Sequence, residues 1–366
     1  MNNLFIGNRP GRLMLAAGLC AVVALLAGCA TGLDRLETGT PMLTRGQRDE
    51  LMRTAKSPAE LGLPARFNPS VSVGGVASVS NVTVTLCQVP TQQPRETGGQ
   101  FGVPVILATV NGKAGVRVLL DSGSNRNLFG YALAHDLGVT AVAGLDPVTS
   151  SGIGGSVDNF IGVARSVKVD TFELRRVIAL IGPDTQVLNV THGFWNNPQA
   201  MILGLNTLRT LSYLSIDAPN GTVTFAPREP YQPQPGSVFV TAIPLQWVNG
   251  LPMVEVVIDG RPMQCYVDTG GDYGLLLPRQ LAGELGYWKP GHEKVGISKG
   301  VGGASLSATY EVREARLGQA KFVKFPARTQ VTGPDAAGGQ VLLGNVCLRK
   351  LRVTFDFQHG QLWLER

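Results

Sequence analysis

Cysteine is scarce in this 366-residue chain, with five residues, and histidine scarcer still, with four. His135, His192, His292 and His359 stand far apart, without an HExxH pair, and no CxxC pair accompanies them. That excludes the usual zinc arrangements and leaves the histidines as surface or loop residues. There is no Ser/His/Asp set, and neither of two glycine clusters fits GxGxxG or a phosphate loop. Nothing calls for a metal or a cofactor. Charge is sparse at 16%, and the net +6 includes Arg9 and Arg12 at the N-terminus. The basic residues are scattered. One group, Arg349, Lys350 and Arg352, reads as a solvated face beside a strand, so no nucleic-acid partner is expected. Long charged helical runs are missing too. With 44% apolar residues, 46 glycines and 23 prolines, the composition describes a folded, mostly β protein of short strands and many turns.

Long hydrophobic runs are limited to one. Residues 13–27, LMLAAGLCAVVALLA, follow two arginines and are too short to span a bilayer comfortably. The run closes on LAGC, Leu26 to Cys29, and resembles a bacterial lipoprotein signal, in which the cysteine becomes the acylated first residue. The resemblance implies a signal peptide over residues 1–28, lipid on Cys29, and a cell-envelope location. Ala30 departs from an inner-membrane retention signal and points to the outer membrane, facing the periplasm. Cys87, Cys265 and Cys347 remain after export, enough for one disulfide and one thiol. Residues 29–70 are polar and mixed and read as a tether. TRGQRDELMRTA, 44–55, is expected to form a short helix capped by Thr44.

The body of the chain repeats itself. VPVILATVNGKAGVRVLLDSGSNRNLF begins at Val103 and LPMVEVVIDGRPMQCYVDTGGDYGLLL at Leu251. Each offers a strand, a hairpin signal (Asn111-Gly112, Asp259-Gly260) and a second strand running into an aspartate. A short helix stopped by glycine follows in each, at Gly138 and Gly286. SGIGG, 151–155, matches KGVGG, 299–303, and MILG from Met201 matches VLLG from Val341. Asp121 and Asp268 lie 147 residues apart, and Gly154 and Gly302 lie 148 apart. Features recurring in order at so even an offset mark a duplication. The copies become an N-terminal lobe, 71–228, and a C-terminal lobe, 237–366, with the proline-rich PREPYQPQPG, 227–236, between them.

Two related lobes packed about an approximate two-fold axis bring equivalent loops face to face. Asp121 and Asp268 would meet at the lobe boundary and share one proton, because two adjacent carboxylates do not both ionise readily. The ionised member can take a proton from water while the protonated member donates to a peptide carbonyl. Ser122 and Thr269 are small hydroxyls able to hold the loops together, and Gly123 and Gly270 let the backbone approach the carboxylates. Cys265, three residues before Asp268, falls on the opposite strand face and reads as a buried thiol. A bridge to Cys347 is the lesser alternative, open because the motif strands should be neighbours.

LLDSG and YVDTG, each followed by GIGG or GVGG and then by ILG or LLG, resemble the aspartic peptidases over roughly residues 101–366. The GxGG segment is similar to the flap of the retropepsin-like branch, and two lobes in one chain are similar to the pepsin-like arrangement. The resemblance implies two homologous acid-protease-type β lobes with the active site at their boundary. It makes Asp121 and Asp268 the catalytic pair, and Ser122 and Thr269 the loop-locking hydroxyls. Gly152, Ile153, Gly154 and Gly155, with Gly300, Val301, Gly302 and Gly303, become flap tips over a peptide or protein substrate. A monomer would suffice, because both lobes belong to one chain. The sequence departs from the family pattern after the second motif glycine. Ser124 carries a hydroxyl that could support an ionised Asp121, whereas Gly271 carries none, so Asp121 is expected to be the more acidic member. The function expected is a lipid-anchored aspartic endopeptidase. The alternative is a catalytically inactive relative that binds peptides or an envelope partner in the same cleft.

Overall fold

Alternation and turn chemistry shape the first hairpin of each lobe. Val105–Val110 and Lys113–Leu120 pair antiparallel around Asn111 and Gly112, as do Leu251–Ile258 and Arg261–Asp268 around Asp259 and Gly260. All four turn residues take positive φ, from 48° to 88°. A two-residue turn needs that backbone to match the twist of its strands. In the computed structural model, the described residues are 42–64, 75–87, 102–186, 200–238, 240–289, 291, 294–333, 335 and 339–366. The segment expected to be a signal peptide, and Cys29 after it, lie outside the described residues.

Each lobe is a sheet folded onto itself. In the N-terminal lobe, Phe172–Gly182, Leu128–Gly130, Ala200–Leu203, Lys113–Leu120, Val105–Val110 and Gly155–Val169 are neighbours in that order. Phe172–Gly182 then pairs with Gly155–Val169 to close the turn of sheet. The C-terminal lobe repeats the order with Ala320–Gln330, Leu275–Leu276, Val341–Gly344, Arg261–Asp268, Leu251–Ile258 and Gly303–Leu317. The duplication read from the sequence is therefore a duplication of topology. Each strand starts exposed and turns buried just ahead of its motif, where both faces are covered: Val118, Leu119 and Leu120 are at 0% exposure, and Cys265, Tyr266 and Val267 are buried.

A six-stranded sheet joins the halves. Tyr213–Asp217 and Thr222–Ala226 from the first copy stand beside Arg352–Asp356 and Gln361–Glu365 from the second, flanked by Val82–Thr85 and Val240–Pro244. Arg352 Nε donates to Asp217 Oδ2 at 2.8 Å across this junction. Arg349 is buried against Asp272, 3.7 Å away. The basic group at 349–352 is thus two internal ion pairs flanking Lys350, and not the solvated face expected of it.

The segment expected to be a tether is folded over residues 42–64. Thr44 caps the helix Arg45–Thr54 through a capping box with Gln47. Leu43, Leu51 and Leu63 are buried, and Glu50 accepts a 2.8 Å hydrogen bond from Tyr131 Oη. Lys56 exchanges backbone hydrogen bonds with Ala141 and Ala143. Composition had concealed this docking, because a helix with one apolar side chain toward the body is polar on average.

Candidate functional site

The two motif strands deliver their aspartates to one place. Ala200–Leu203 runs parallel to the strand ending at Leu120, and Val341–Gly344 runs parallel to the strand ending at Asp268. Asp121 N–H donates to Leu203 C=O at 3.1 Å, which anchors the start of its loop. The loops are then fastened to each other reciprocally. Ser122 N–H donates to Thr269 Oγ1 (2.9 Å) and Thr269 N–H to Ser122 Oγ (3.0 Å). Ser122 Oγ–H donates onward to Val267 C=O (2.7 Å), and Thr269 Oγ1–H to Leu120 C=O (2.8 Å). Both hydroxyls are buried, so every member of this square has a partner and none is left to water.

Within the lock, each motif glycine lies against the opposite carboxylate. A Cβ on Gly123 would stand 2.5 Å from Asp268 Oδ1, and a Cβ on Gly270 would stand 2.6 Å from Asp121 Cγ. No other residue fits at these positions without moving the carboxylates. The two carboxyl groups thus meet across the locked loops, where both cannot ionise readily and one proton is best shared.

The two carboxyl groups are not equivalent, and the supporting hydroxyl reaches Asp268 and not Asp121. Burial, then the charge of Asp268, drive the Asp121 carboxyl well above the usual carboxylate range. Burial also raises Asp268. Against it act hydrogen bonds from Tyr273, from Asp121 and from the Gly270 and Gly271 backbone. Ser124 Oγ–H does not turn to Asp121; it donates to Arg126 C=O at 2.7 Å. Tyr273 Oη–H donates to Asp268 Oδ2 instead, supplying the hydroxyl that Gly271 lacks. Burial and the Asp268 charge push the phenol well above its ordinary value, so it stays a donor. The Tyr273 donation favours the charged form at Asp268, which leaves Asp121 as the better place for the proton.

Gly271 and Tyr273 are sterically matched, since a Cβ at 271 would meet the Tyr273 ring at 2.5 Å. Tyr273→Phe is expected to move the acid limb of the kcat/KM profile to higher pH. On that limb it lowers activity about tenfold, the loss of one charge-assisted hydrogen bond. Gly271→Ser restores the limb only when Tyr273 is also cut to Ala. An unmoved acid limb in Tyr273→Phe would remove the phenol from this role.

The glycine clusters cap the site from above. Val148–Gly152 with Gly155–Val169, and Lys294–Gly300 with Gly303–Leu317, form two long hairpins. Their tips touch: Gly302 N–H donates to Ile153 C=O at 2.9 Å. A Cβ on Gly154 would lie 2.4 Å from the Gly303 carbonyl carbon, and one on Gly302 would lie 2.2 Å from the Gly155 backbone. These glycines serve contact between flaps, beyond the needs of a hairpin tip. Gly152 faces Val301 and Gly300 faces Ile153 in the same contact. Both hairpins therefore reach over the cleft and meet tip to tip. Below them is a cleft of about 450 Å³ with the aspartates on its floor.

The sequence reading missed Tyr273, Arg126 and Arg328 in the cleft wall. The one available signal was the missing hydroxyl at Gly271. Asn127 braces the first loop from behind: its Nδ2 donates to Ile178 C=O and Thr207 Oγ1, and its Oδ1 accepts from Gly204 N–H. Cys265 and Cys347 are both buried free thiols. No bridge joins them, and burial pushes the Cys347 thiol up to about 12 and raises Cys265 as well.

None of the curated proteins compared with the chain matches it. Among solved structures, a retropepsin-like aspartic protease from Rickettsia conorii shares 16% identity, with a TM-score of 0.27. The match covers 35% of this chain and 90% of the other. The family model described as aspartyl protease matches residues 106–207 and 254–346, together more than half of the chain, and each matched segment holds one of the two aspartates. The chain belongs to the aspartyl protease family.

Proposed function

We propose that this protein is a lipid-anchored aspartic endopeptidase. One observation carries the reading: the reciprocal Ser122–Thr269 lock holds two carboxyl groups at a shared proton beneath paired flaps. An extended peptide fits such a cleft, with its backbone between the floor and the flap tips. The Asp268 carboxylate takes a proton from a water held between the aspartates. The hydroxide equivalent adds to the peptide carbonyl carbon while Asp121 gives its proton to the carbonyl oxygen. The tetrahedral diol then collapses, its hydroxyl proton returns to Asp121, and Asp268 passes its proton to the departing amine. No covalent intermediate forms, and both carboxyl groups recover their starting states. Both aspartates come from one chain, which supports a monomer as the active unit.

Cys29 is proposed to carry the lipid and to hold the enzyme at the outer membrane, facing the periplasm. The LAGC sequence is the support for this part. Mass spectrometry of the N-terminal peptide tests it: an acylated Cys29 is expected, and an intact leader would remove the anchor. The peptidase reading is tested by peptide cleavage across pH 3 to 8, with and without a pepstatin-type inhibitor. Inhibitor-sensitive cleavage is expected with a bell-shaped profile, because one proton must remain in the pair. Peptide binding without cleavage at every pH would leave the inactive binder.

A further inference from the structure

The pseudo-two-fold symmetry that builds the site also exposes where it is broken. In the N-terminal lobe Leu128 pairs in parallel with Leu180, and in the C-terminal lobe Leu276 pairs in parallel with Arg328. Leu180 and Arg328 are thus equivalent positions, 148 residues apart, and both line the cleft. The surrounding wall is apolar in both halves, with Leu128 and Ile202 on one side and Tyr266 and Leu342 on the other. A peptide laid across the aspartates therefore meets an aliphatic side chain on the N-terminal half and a guanidinium in the matching place on the C-terminal half.

Among the described residues, the charge around Arg328 is only partly balanced. Asp272 is its opposite charge, yet Asp272 also faces Arg349 at 3.7 Å, with both side chains 1% exposed. Two guanidinium groups thus share one carboxylate. Among the described residues, the Arg328 guanidinium donates no hydrogen bond. Two other cations, Arg126 and Lys299, line the cleft, and among the described residues its carboxyl groups are Asp121 and Asp268, which do not both ionise readily. A guanidinium set in an apolar wall matches a carboxylate bidentately, and a neutral side chain there leaves its donors without acceptors.

We infer that the C-terminal half of the cleft is a subsite for an acidic side chain, glutamate or aspartate, on one side of the scissile bond. This rests on the peptidase reading and adds a substrate class to it. The test uses the purified full-length chain and a peptide series that differs only beside the cleaved bond. Glu is expected to exceed Gln and Leu in kcat/KM by about ten- to a hundredfold at pH 6. The advantage over Gln should vanish as pH falls below about 4.3, where the peptide carboxylate is protonated. In Arg328→Leu the Glu-to-Leu ratio should fall at least tenfold, and Arg328→Gln should give the same direction in a side chain of similar polarity.

Equal rates for Glu and Gln in the wild type would overturn the subsite without any variant, so misfolding of a substitution leaves the test intact. An unchanged ratio in a folded Arg328 variant would overturn it as well. Should the wild type cleave none of the peptides, the peptidase reading fails separately. Binding of the same labelled peptides then decides: tighter binding of Glu than Gln upholds the subsite, and equal affinity removes it.

Discussion

Asp121→Asn and Asp268→Asn each lower kcat/KM for peptide hydrolysis by about a thousandfold or more, because each removes one of the two proton transfers. The two variants fail for different reasons. Asn at 268 cannot accept a proton from water, although it can still receive the Tyr273 hydrogen bond. Asn at 121 can still donate to Asp268, but it has no acidic proton for the carbonyl oxygen. Neither change adds bulk against Gly123 or Gly270, where the clearances are set by the existing carboxyl groups, so both variants should fold. Stability separates them from simple damage. Asp121 is raised in the folded chain. The stability linked to its proton is therefore fully present below its unfolded value and is lost as pH rises through its folded value. The wild type should lose thermal stability over that interval, and Asp121→Asn should lose less. Substantial hydrolysis by either variant would sink the shared-proton mechanism. A melting profile for Asp121→Asn that follows the wild type would return the proton to Asp268.

Ser122→Ala and Thr269→Val each destabilise the fold by about 2–4 kcal/mol. Each leaves one buried N–H and one buried C=O without a partner, at about 1–3 kcal/mol apiece. The losses are coupled. Ser122 Oγ accepts from Thr269 and Thr269 Oγ1 accepts from Ser122, so the double variant should cost less than the sum of the singles. Activity should fall with stability, since the same four hydrogen bonds set the distance between the carboxyl groups. Thr269→Ser keeps the hydroxyl and should recover most of both. Denaturant unfolding of the four chains checks this. Additive effects below about 0.5 kcal/mol each would mean that the lobes are held by the shared six-stranded sheet alone.

The site was legible to different depths. Asp121 and Asp268 could be read because duplication puts the same local message in the chain twice. A strand ending in Asp-Ser/Thr-Gly at matched positions needs no knowledge of distant contacts. The hairpins around Asn111-Gly112 and Asp259-Gly260 were equally local, since two positive-φ residues dictate the turn. The order of acidity was not. Ser124 lies beside the motif, but its hydroxyl is consumed by Arg126 C=O, while the phenol that reaches Asp268 comes from two positions past a gap. Docking of residues 42–64 was hidden for a related reason: Leu43, Leu51 and Leu63 are too few to form a pattern and are buried only against the finished lobe.

By itself the sequence determined the repeat, the β character, the two aspartates, the locking hydroxyls and the glycine-tipped hairpins. Each of these is written in residues adjacent along the chain, where backbone propensity and turn chemistry act. Tertiary structure alone decided which carboxyl holds the proton, that both flaps meet at Ile153 and Gly302, and that Arg328 stands where Leu180 stands in the other lobe. Those outcomes depend on side chains from strands far apart in sequence. The balance of burial, charge and clearance that sets them exists only once the two lobes have closed on each other.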